Sequence, residues 1–353
     1  MYFNLYNTKV KNVKKIRTIS LFSGCGGLDY GFINQGFEII WANDIFKEAV
    51  QTYKYNIGNH IVLGDITKIL NSQIPNDFDV LLGGFPCQGF SIANKHRSMK
   101  DERNFLYKEI LRIVKDKKPK FFVLENVKGL LSLEDGAVIQ MIVNDFKKLG
   151  YLVQYKLLNS AQYGIPQKRQ RVFLVGSPQN VSFEFPEPTH KNPIPVKDAI
   201  SDLPEFSMKD GEKNNLVPQS DYQKKLRLRS EDKIYNHQIT NHTDQTKRII
   251  SLVPDGGNYK NLPINLQKTR KVNIAWTRLN SNQPSFTIDT GHNHHFHYLF
   301  NRVPTARESA RLQSFPDNFV FCGNKTSQLK QIGNAVPPLL GEVIAQKIKS
   351  YLN

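Results

Sequence analysis

The stretch TISLFSGCGGLDYGF (residues 18–32) passes from a run of strand-forming residues, through Phe22-Ser23-Gly24-Cys25-Gly26-Gly27, into a helical pattern. Glycines at such a strand-to-helix turn let backbone N–H groups approach a ligand at the helix N-terminus. A strict G-x-G-x-x-G would need glycine at 29, where Asp29 stands, which weakens a dinucleotide reading. Taken alone, the stretch also fits a tight turn with ordinary helix caps.

Six further apolar runs follow it, at 37–43, 60–64, 79–84, 120–127, 152–158 and 171–176. They are rich in β-branched or aromatic residues and bounded by Gly, Asp, Asn or Pro. Helical spacing recurs between them, most clearly over 102–116 and 134–149, where Gly150 supplies the stop. This alternation predicts an α/β fold, a doubly wound and mostly parallel sheet of seven strands. After Ser177 the texture changes, and 178–300 is rich in Asn, Gln, Pro, Lys and Thr. A second, smaller domain of irregular or mainly β character is expected there, with one modest helix near 244–253. Helical patterns return at 305–313 and 339–351. The expected division is 1–190, an insert at 191–324, and a closing segment 325–353 that returns to the first domain.

The chain has 353 residues with 48 Lys+Arg against 31 Asp+Glu, a net charge of +17, and 39% of its residues are apolar. That apolar content excludes a disordered chain. No run reaches the roughly 18 apolar residues of a membrane span, and 1–18 lacks the apolar core of a secretory leader. Three cysteines point to a reducing cytosol rather than a disulfide framework. A surplus of positive charge attracts a polyanion without specifying one. Its distribution is more informative: 91–120 carries ten basic against four acidic residues, whereas 19–90 carries three against seven. The densest positive stretch therefore lies directly after Cys87. The acidic one surrounds the glycine loop and favours a neutral or cationic adenosine compound over a phosphate.

Several chemically capable residues sit at predicted strand ends. Asp44 and Asp65 follow the second and third strands, where a ribose and an adenine lie in open α/β sheets; ordinary helix caps look the same. Gly83-Gly84-Phe85-Pro86-Cys87-Gln88 makes a rigid corner that exposes a thiol beside positive charge, where it can ionise. Glu125 of Glu125-Asn126-Val127 delivers a carboxyl to the same rim. In Gln167-Lys168-Arg169-Gln170-Arg171, alternation sends both arginines to one face, one to grip an acceptor oxygen and one to orient a carboxyl. A basic edge strand would have the same pattern.

Together these elements resemble the DNA (cytosine-5)-methyltransferases of bacterial restriction–modification type. FSGCGG is similar to that family's cofactor loop, FPCQGFS to its nucleophile motif, ENVKG to its acid motif and QKRQR to its base-gripping motif. TARESARLQSFPD and QIGNAVPP resemble the blocks at the end of the variable region. The resemblance covers about 18–177 and 302–353, leaving 180–300 as the variable target-recognition insert.

The resemblance implies an S-adenosyl-L-methionine-dependent, Rossmann-like enzyme that methylates carbon 5 of a flipped-out cytosine in a short duplex DNA sequence and releases S-adenosyl-L-homocysteine. Cys87 would add to carbon 6, Glu125 would stabilise protonation at ring nitrogen 3, Arg171 would hold the base carbonyl, and Arg169 would support the Glu125 side. Phe22, Ser23, Gly24, Gly26 and Gly27 would line the methionine part. Asp44 with Ile45 would take the ribose side, Asp65 with Ile66 the adenine amino group, and Asn334 the methionine side. Ile45 stands where some relatives carry an aromatic that stacks on adenine. Ser91, Lys95, Arg97, Lys100 and Arg103, in the loop after Cys87, would meet phosphates.

A cytoplasmic monomer without metal is expected, acting on double-stranded DNA; the sequence leaves open whether a separately encoded restriction endonuclease accompanies it. Two rivals are a tRNA cytosine-5 methyltransferase and a catalytically silent DNA-binding relative. HNHHFHY (292–298) resembles a metal-ligand cluster, but no cysteine is near and strand alternation would split its histidines. Polar or packed histidines are the expected reading there.

Overall fold

The seven apolar runs become the strands of one sheet: β1 (Ile16–Leu21), β2 (Phe37–Asp44), β3 (Ile61–Leu63), β4 (Val80–Gly83), β5 (Phe121–Val127), β6 (Tyr151–Asn159) and β7 (Gln170–Pro178). The computed structural model describes residues 15–86, 106–267, 276–290 and 295–352. The strand order is β3-β2-β1-β4-β5-β7-β6, parallel from β3 to β5, with β7 antiparallel to both of its neighbours.

Helices cover both faces, which is why β4 is buried along its whole length and reads as a continuous apolar run. On one face α1 (Gly27–Asn34), α2 (Lys47–Asn56) and α11 (Pro338–Leu352) bury Phe32, Val50, Tyr53, Leu340 and Ile344. On the other, α3 (Tyr107–Lys117) and α4 (Ala137–Lys148) bury Ile110, Ile113, Ile139 and Ile142. α1 and α11 touch backbone to backbone: a Cβ added at Gly31 would lie 2.4 Å from the Pro338 carbonyl oxygen and 2.7 Å from the Gly341 carbonyl carbon.

Register places the site. Leu21 pairs with Gly83 and Gly83 with Leu124, so Phe22, Gly84 and Glu125 emerge together at one edge of the sheet. Glu125 pairs with Phe173 and Val127 with Arg171, which makes Glu125 and Arg171 diagonal neighbours.

Of the two characters expected for the insert, irregular or mainly β, it has the first. Among the described residues its strands are two-residue pieces, β8 (Glu212–Lys213), β9 (Lys233–Ile234), β10 (Thr277–Arg278) and β11 (His295–Phe296). Among the described residues these are outweighed by the short helices α5 (Val196–Ile200), α6 (Asp221–Arg227), α7 (Asp244–Ser251) and α8 (Ile264–Gln267). The physical reason is that arginine side chains take backbone carbonyls that a β-ladder would use. Arg278 donates to the carbonyls of Ile250, Val253 and His297, and Arg307 to those of Tyr235, Pro316 and Phe319. Helix α9 (Ala306–Leu312) opens with a buried capping box, Thr305 with Glu308. A third core, including Ile200, Leu226, Ala310, Phe315 and Ile332, joins the insert, α9 included, to α10 (Lys325–Asn334).

Candidate active site

The glycine loop is shaped by hydrogen bonds to β2 rather than by its glycines alone. Ser23 N donates to the Asn43 carbonyl, and Gly24 N donates to Asp44 Oδ2 at 2.8 Å. Phe46 N donates to the other Asp44 oxygen at 2.7 Å. Gly26 has φ 89°, and a Cβ there would meet Ile57 Cδ1 at 2.3 Å, so glycine is required at that turn. Asp44 is thereby held by two backbone donors while each of its oxygens keeps a further lone pair for a ligand. Burial pushes its carboxyl up, with the backbone hydrogen bonds and Lys330 pulling the other way.

The loop opens on a cavity of about 530 Å³ whose wall includes Phe22, Ser23, Gly24, Gly27, Asp44, Ile45, Pro86, Glu125, Arg171 and Asn334. The strand ends converge there: a Cβ at Gly84 would lie 3.7 Å from Glu125 Oε2 and 3.8 Å from the Phe22 carbonyl oxygen. Ile45 is 69% exposed at the cavity rim, where an apolar side chain in water is available to cover a flat ring. Asp65 and Ile66 are not part of this wall. Asp65 caps the following turn, its Oδ1 accepting from Thr67 N and Thr67 Oγ1, which holds its carboxyl below the ordinary range. Ile66 is buried in the core.

Glu125 is 8% exposed, and Arg171 Nε lies 3.0 Å from its Oε1. Burial raises the carboxyl; Arg171 and Arg169 offset part of that rise, and the net direction is upward. A carboxyl so placed carries a proton more readily than a solvated one. Both arginines act on Glu125, by different routes. Arg171 contacts it directly, while Arg169 is fully buried, acts on it through charge, and donates to the carbonyls of Ile288 (3.4 Å) and Gly333 (2.8 Å). The alternation seen in the sequence is present. The difference arises because the insert and α10 wrap the inner arginine with backbone oxygens.

Arg171 also borders a second cavity of about 430 Å³, shared with Lys128, Lys168 and Thr287 and without an acidic side chain in its wall. The Glu125–Arg171 pair therefore stands between an acidic cavity and a basic one. Cys87, immediately beyond the cavity-lining Pro86, lies outside the described residues. So do Ser91, Lys95, Arg97, Lys100 and Arg103, the segment 1–14, and His292 and His294.

Some contributors escaped the sequence reading. Asn126 donates to the Phe85 carbonyl at 3.2 Å and so ties the acid motif to the Pro-Cys corner. Lys330 sits 4.3 Å over the Phe46 ring at the cavity wall. The only signals for these were an asparagine within ENV and a lysine on a helix face. Of the remaining histidines, His295 stacks on Phe286 and His297 is buried, its Nδ1 accepting from the backbone of Leu299 and Phe300. Cys25 is buried in the third core. Among the described residues no group of three or more His, Cys, Asp or Glu could hold a metal ion, and no helix is long and apolar enough to cross a membrane.

Comparison with known proteins gives the chain a family. The chain is 40% identical over 341 residues to the Type II methyltransferase M.NgoFVII of Neisseria gonorrhoeae, covering 92% of this chain and 84% of that protein. It is 38% identical over 338 residues to the Type II methyltransferase M1.HphI of Haemophilus parahaemolyticus, covering 94% and 86%. Among solved structures, a prophage-encoded E. coli protein described as a DNA modification methyltransferase superposes with a TM-score of 0.78 at 26% identity, covering 96% of this chain and all of that one. Residues 16–350 match the model of a single family, and the chain belongs to it: the C-5 cytosine-specific DNA methylases.

Proposed function

We propose that this DNA (cytosine-5)-methyltransferase transfers a methyl group from S-adenosyl-L-methionine to a flipped-out cytosine in a short duplex sequence, as the modification enzyme of a restriction–modification system. The observation that carries the reading is the Glu125–Arg171 pair set between an acidic cavity at the glycine loop and a basic cavity facing the insert. The donor set suits the cofactor. Asp44 keeps acceptor positions for ribose hydroxyls, Ile45 offers an apolar face, and the carboxylates Asp29 and Asp44 favour a cation. Phe22, Ser23, Gly24, Gly26, Gly27 and Asn334 would hold the methionine end. Asp65, one strand further along the same edge, would take the adenine amino group, with Ile66 beside it in the cofactor set. When bound, the cofactor supplies an electrophilic methyl group.

The residues of the chain then act on the base. The Cys87 thiolate adds to carbon 6, and its electron pair moves through the ring toward nitrogen 3, where the Glu125 carboxyl, raised by burial, holds the proton. Carbon 5 becomes nucleophilic and would accept the methyl group as its bond to the cofactor sulfur breaks, leaving S-adenosyl-L-homocysteine. Loss of the carbon-5 proton to water, return of the nitrogen-3 proton to Glu125 and expulsion of the Cys87 thiolate would then give 5-methylcytosine. Arg171, bonded to Glu125 through Nε and to the Gln170 carbonyl through Nη1, would hold the base carbonyl, and Arg169 would support the Glu125 side through its charge. Ser91, Lys95, Arg97, Lys100 and Arg103 would grip phosphates. The domains divide at about 190 and 324, the insert reads the sequence, and the enzyme works as a cytoplasmic monomer whose endonuclease partner is encoded separately.

Bisulfite sequencing of plasmid from a host expressing the chain tests this reading, with methylated cytosine in one short sequence context expected. Labelled methyl transfer to tRNA and none to duplex DNA would overturn it. Duplex DNA containing 5-fluorocytosine should form a covalent adduct that Cys87→Ser abolishes. Neutralising Lys95, Arg97 and Lys100 together should reduce the salt slope of DNA binding by up to about three.

A further inference from the structure

Asp29 stands where a dinucleotide fingerprint would have glycine. It is fully buried in the first turn of α1 and lines the cavity at the glycine loop. Ser20 Oγ donates to its Oδ1 at 2.7 Å and the Tyr53 hydroxyl to its Oδ2 at 2.8 Å, and Ser23 Oγ donates to Ser20 Oγ at 3.0 Å. These neutral donors position the carboxylate, but among the described residues no cation pairs with it. The groups that face it are few. The loop brings Cys25, β2 brings Asp44, and α2 brings Tyr53 with His60 beyond it at 3.2 Å. From α10, Lys330 acts on Asp44. At the far end of α1, α11 brings Glu342, bonded to Asn34, and Lys349, bonded to the Gln35 carbonyl. Burial pushes the Asp29 carboxyl up to about 6. Near neutral pH it is therefore ionised and enclosed without a positive charge, an unfavourable arrangement that a cation entering the cavity would relieve.

We propose that Asp29 is the specificity determinant that selects the positively charged sulfonium of S-adenosylmethionine over the neutral thioether of the product, by holding a buried negative charge that only the sulfonium compensates. This rests on the cofactor reading above. The two compounds share their adenosine and amino-acid ends, so the ratio of their affinities isolates one positive charge. Because that charge favours the ionised carboxylate, sulfonium binding expels a proton wherever Asp29 is part-protonated, and thioether binding does not.

Calorimetric titration of the full chain with each compound, in two buffers of different ionisation enthalpy, tests this. The sulfonium-to-thioether affinity ratio should be on the order of tenfold greater at about pH 7.5 than at about pH 5. About half a proton should be released near the Asp29 midpoint with the sulfonium alone. Asp29→Asn keeps the shape and should flatten the ratio across pH and abolish the release. Tyr53→Phe removes a hydrogen bond to the ionised form but keeps the charge, so it should move the pH midpoint of the ratio upward. Melting curves check that both variants fold. A wild-type ratio and release in Asp29→Asn, or an unmoved midpoint in Tyr53→Phe, overturns the proposal. Failure of the wild-type chain to bind either compound overturns the cofactor reading as well, a result distinct from binding without discrimination.

Discussion

In β5 every residue from Phe121 to Asn126 is buried, and the strand is held by packing against helices on two faces. In the insert the comparable anchor is Arg311, also fully buried, with its guanidinium bonded to Asp202 and Asp317, while Arg227 joins the same Asp202 at 3.1 Å. A second buried pair, Arg302 with Glu308, lies beneath α9 at 2.7 Å. One region depends on apolar area, which is tolerant of shape-conserving change. The other depends on directed bonds between charges, where removing one partner strands the rest.

The largest expected effect breaks that contrast directly. Arg311→Ala should lose about 3–5 kcal/mol in urea unfolding, because it leaves Asp202 and Asp317 buried and less compensated; a loss below about 1 kcal/mol would show that the insert does not depend on its charges. Next comes pH. Burial alone would raise Glu308, but the bidentate Arg302 overcomes it, joined by His297 only once that buried ring takes a proton at about 4, and the carboxyl is held at about 2. A depressed acid stabilises the fold above its ordinary range, and that stabilisation is lost as pH falls from about 4.5 toward 2, up to about 3 kcal/mol in all. Asp29 has the opposite sign: raised to about 6, it makes the folded chain less stable as pH rises from 3.8 toward 6. Denaturant midpoints of Glu308→Gln and Asp29→Asn against wild type across acid pH should therefore diverge in opposite directions. Thr305→Ala, which removes the cap of α9, should cost about 0.5–2 kcal/mol. Ile113→Val in the sheet half should cost about 0.5–1.5 kcal/mol with no pH dependence.

The same contrast explains what the amino-acid order disclosed. Runs such as Val80–Gly83 and Phe121–Leu124 are continuously apolar because both faces of the sheet are covered, so seven strands and the helices between them could be read locally. Asp44, Glu125 and the glycine loop were legible because strand ends point to one edge. The backbone acceptors of Arg169 were not, since they are the Ile288 and Gly333 carbonyls, 119 and 164 residues away. Nor was the Asp29–Tyr53 bond, which forms only once α2 packs on α1. The insert was least legible, because arginines bonded to distant carbonyls leave no period in the sequence.

The seam between α1 and α11 sets a clock on synthesis. Gly31 leaves the ribosome about 300 residues before Gly341, the partner whose backbone it touches. At translation speeds of roughly 5–20 residues per second, the outer flank of α1 waits on the order of 15–60 s for its cover. During that interval the helix that begins at the glycine loop lacks the support of α11.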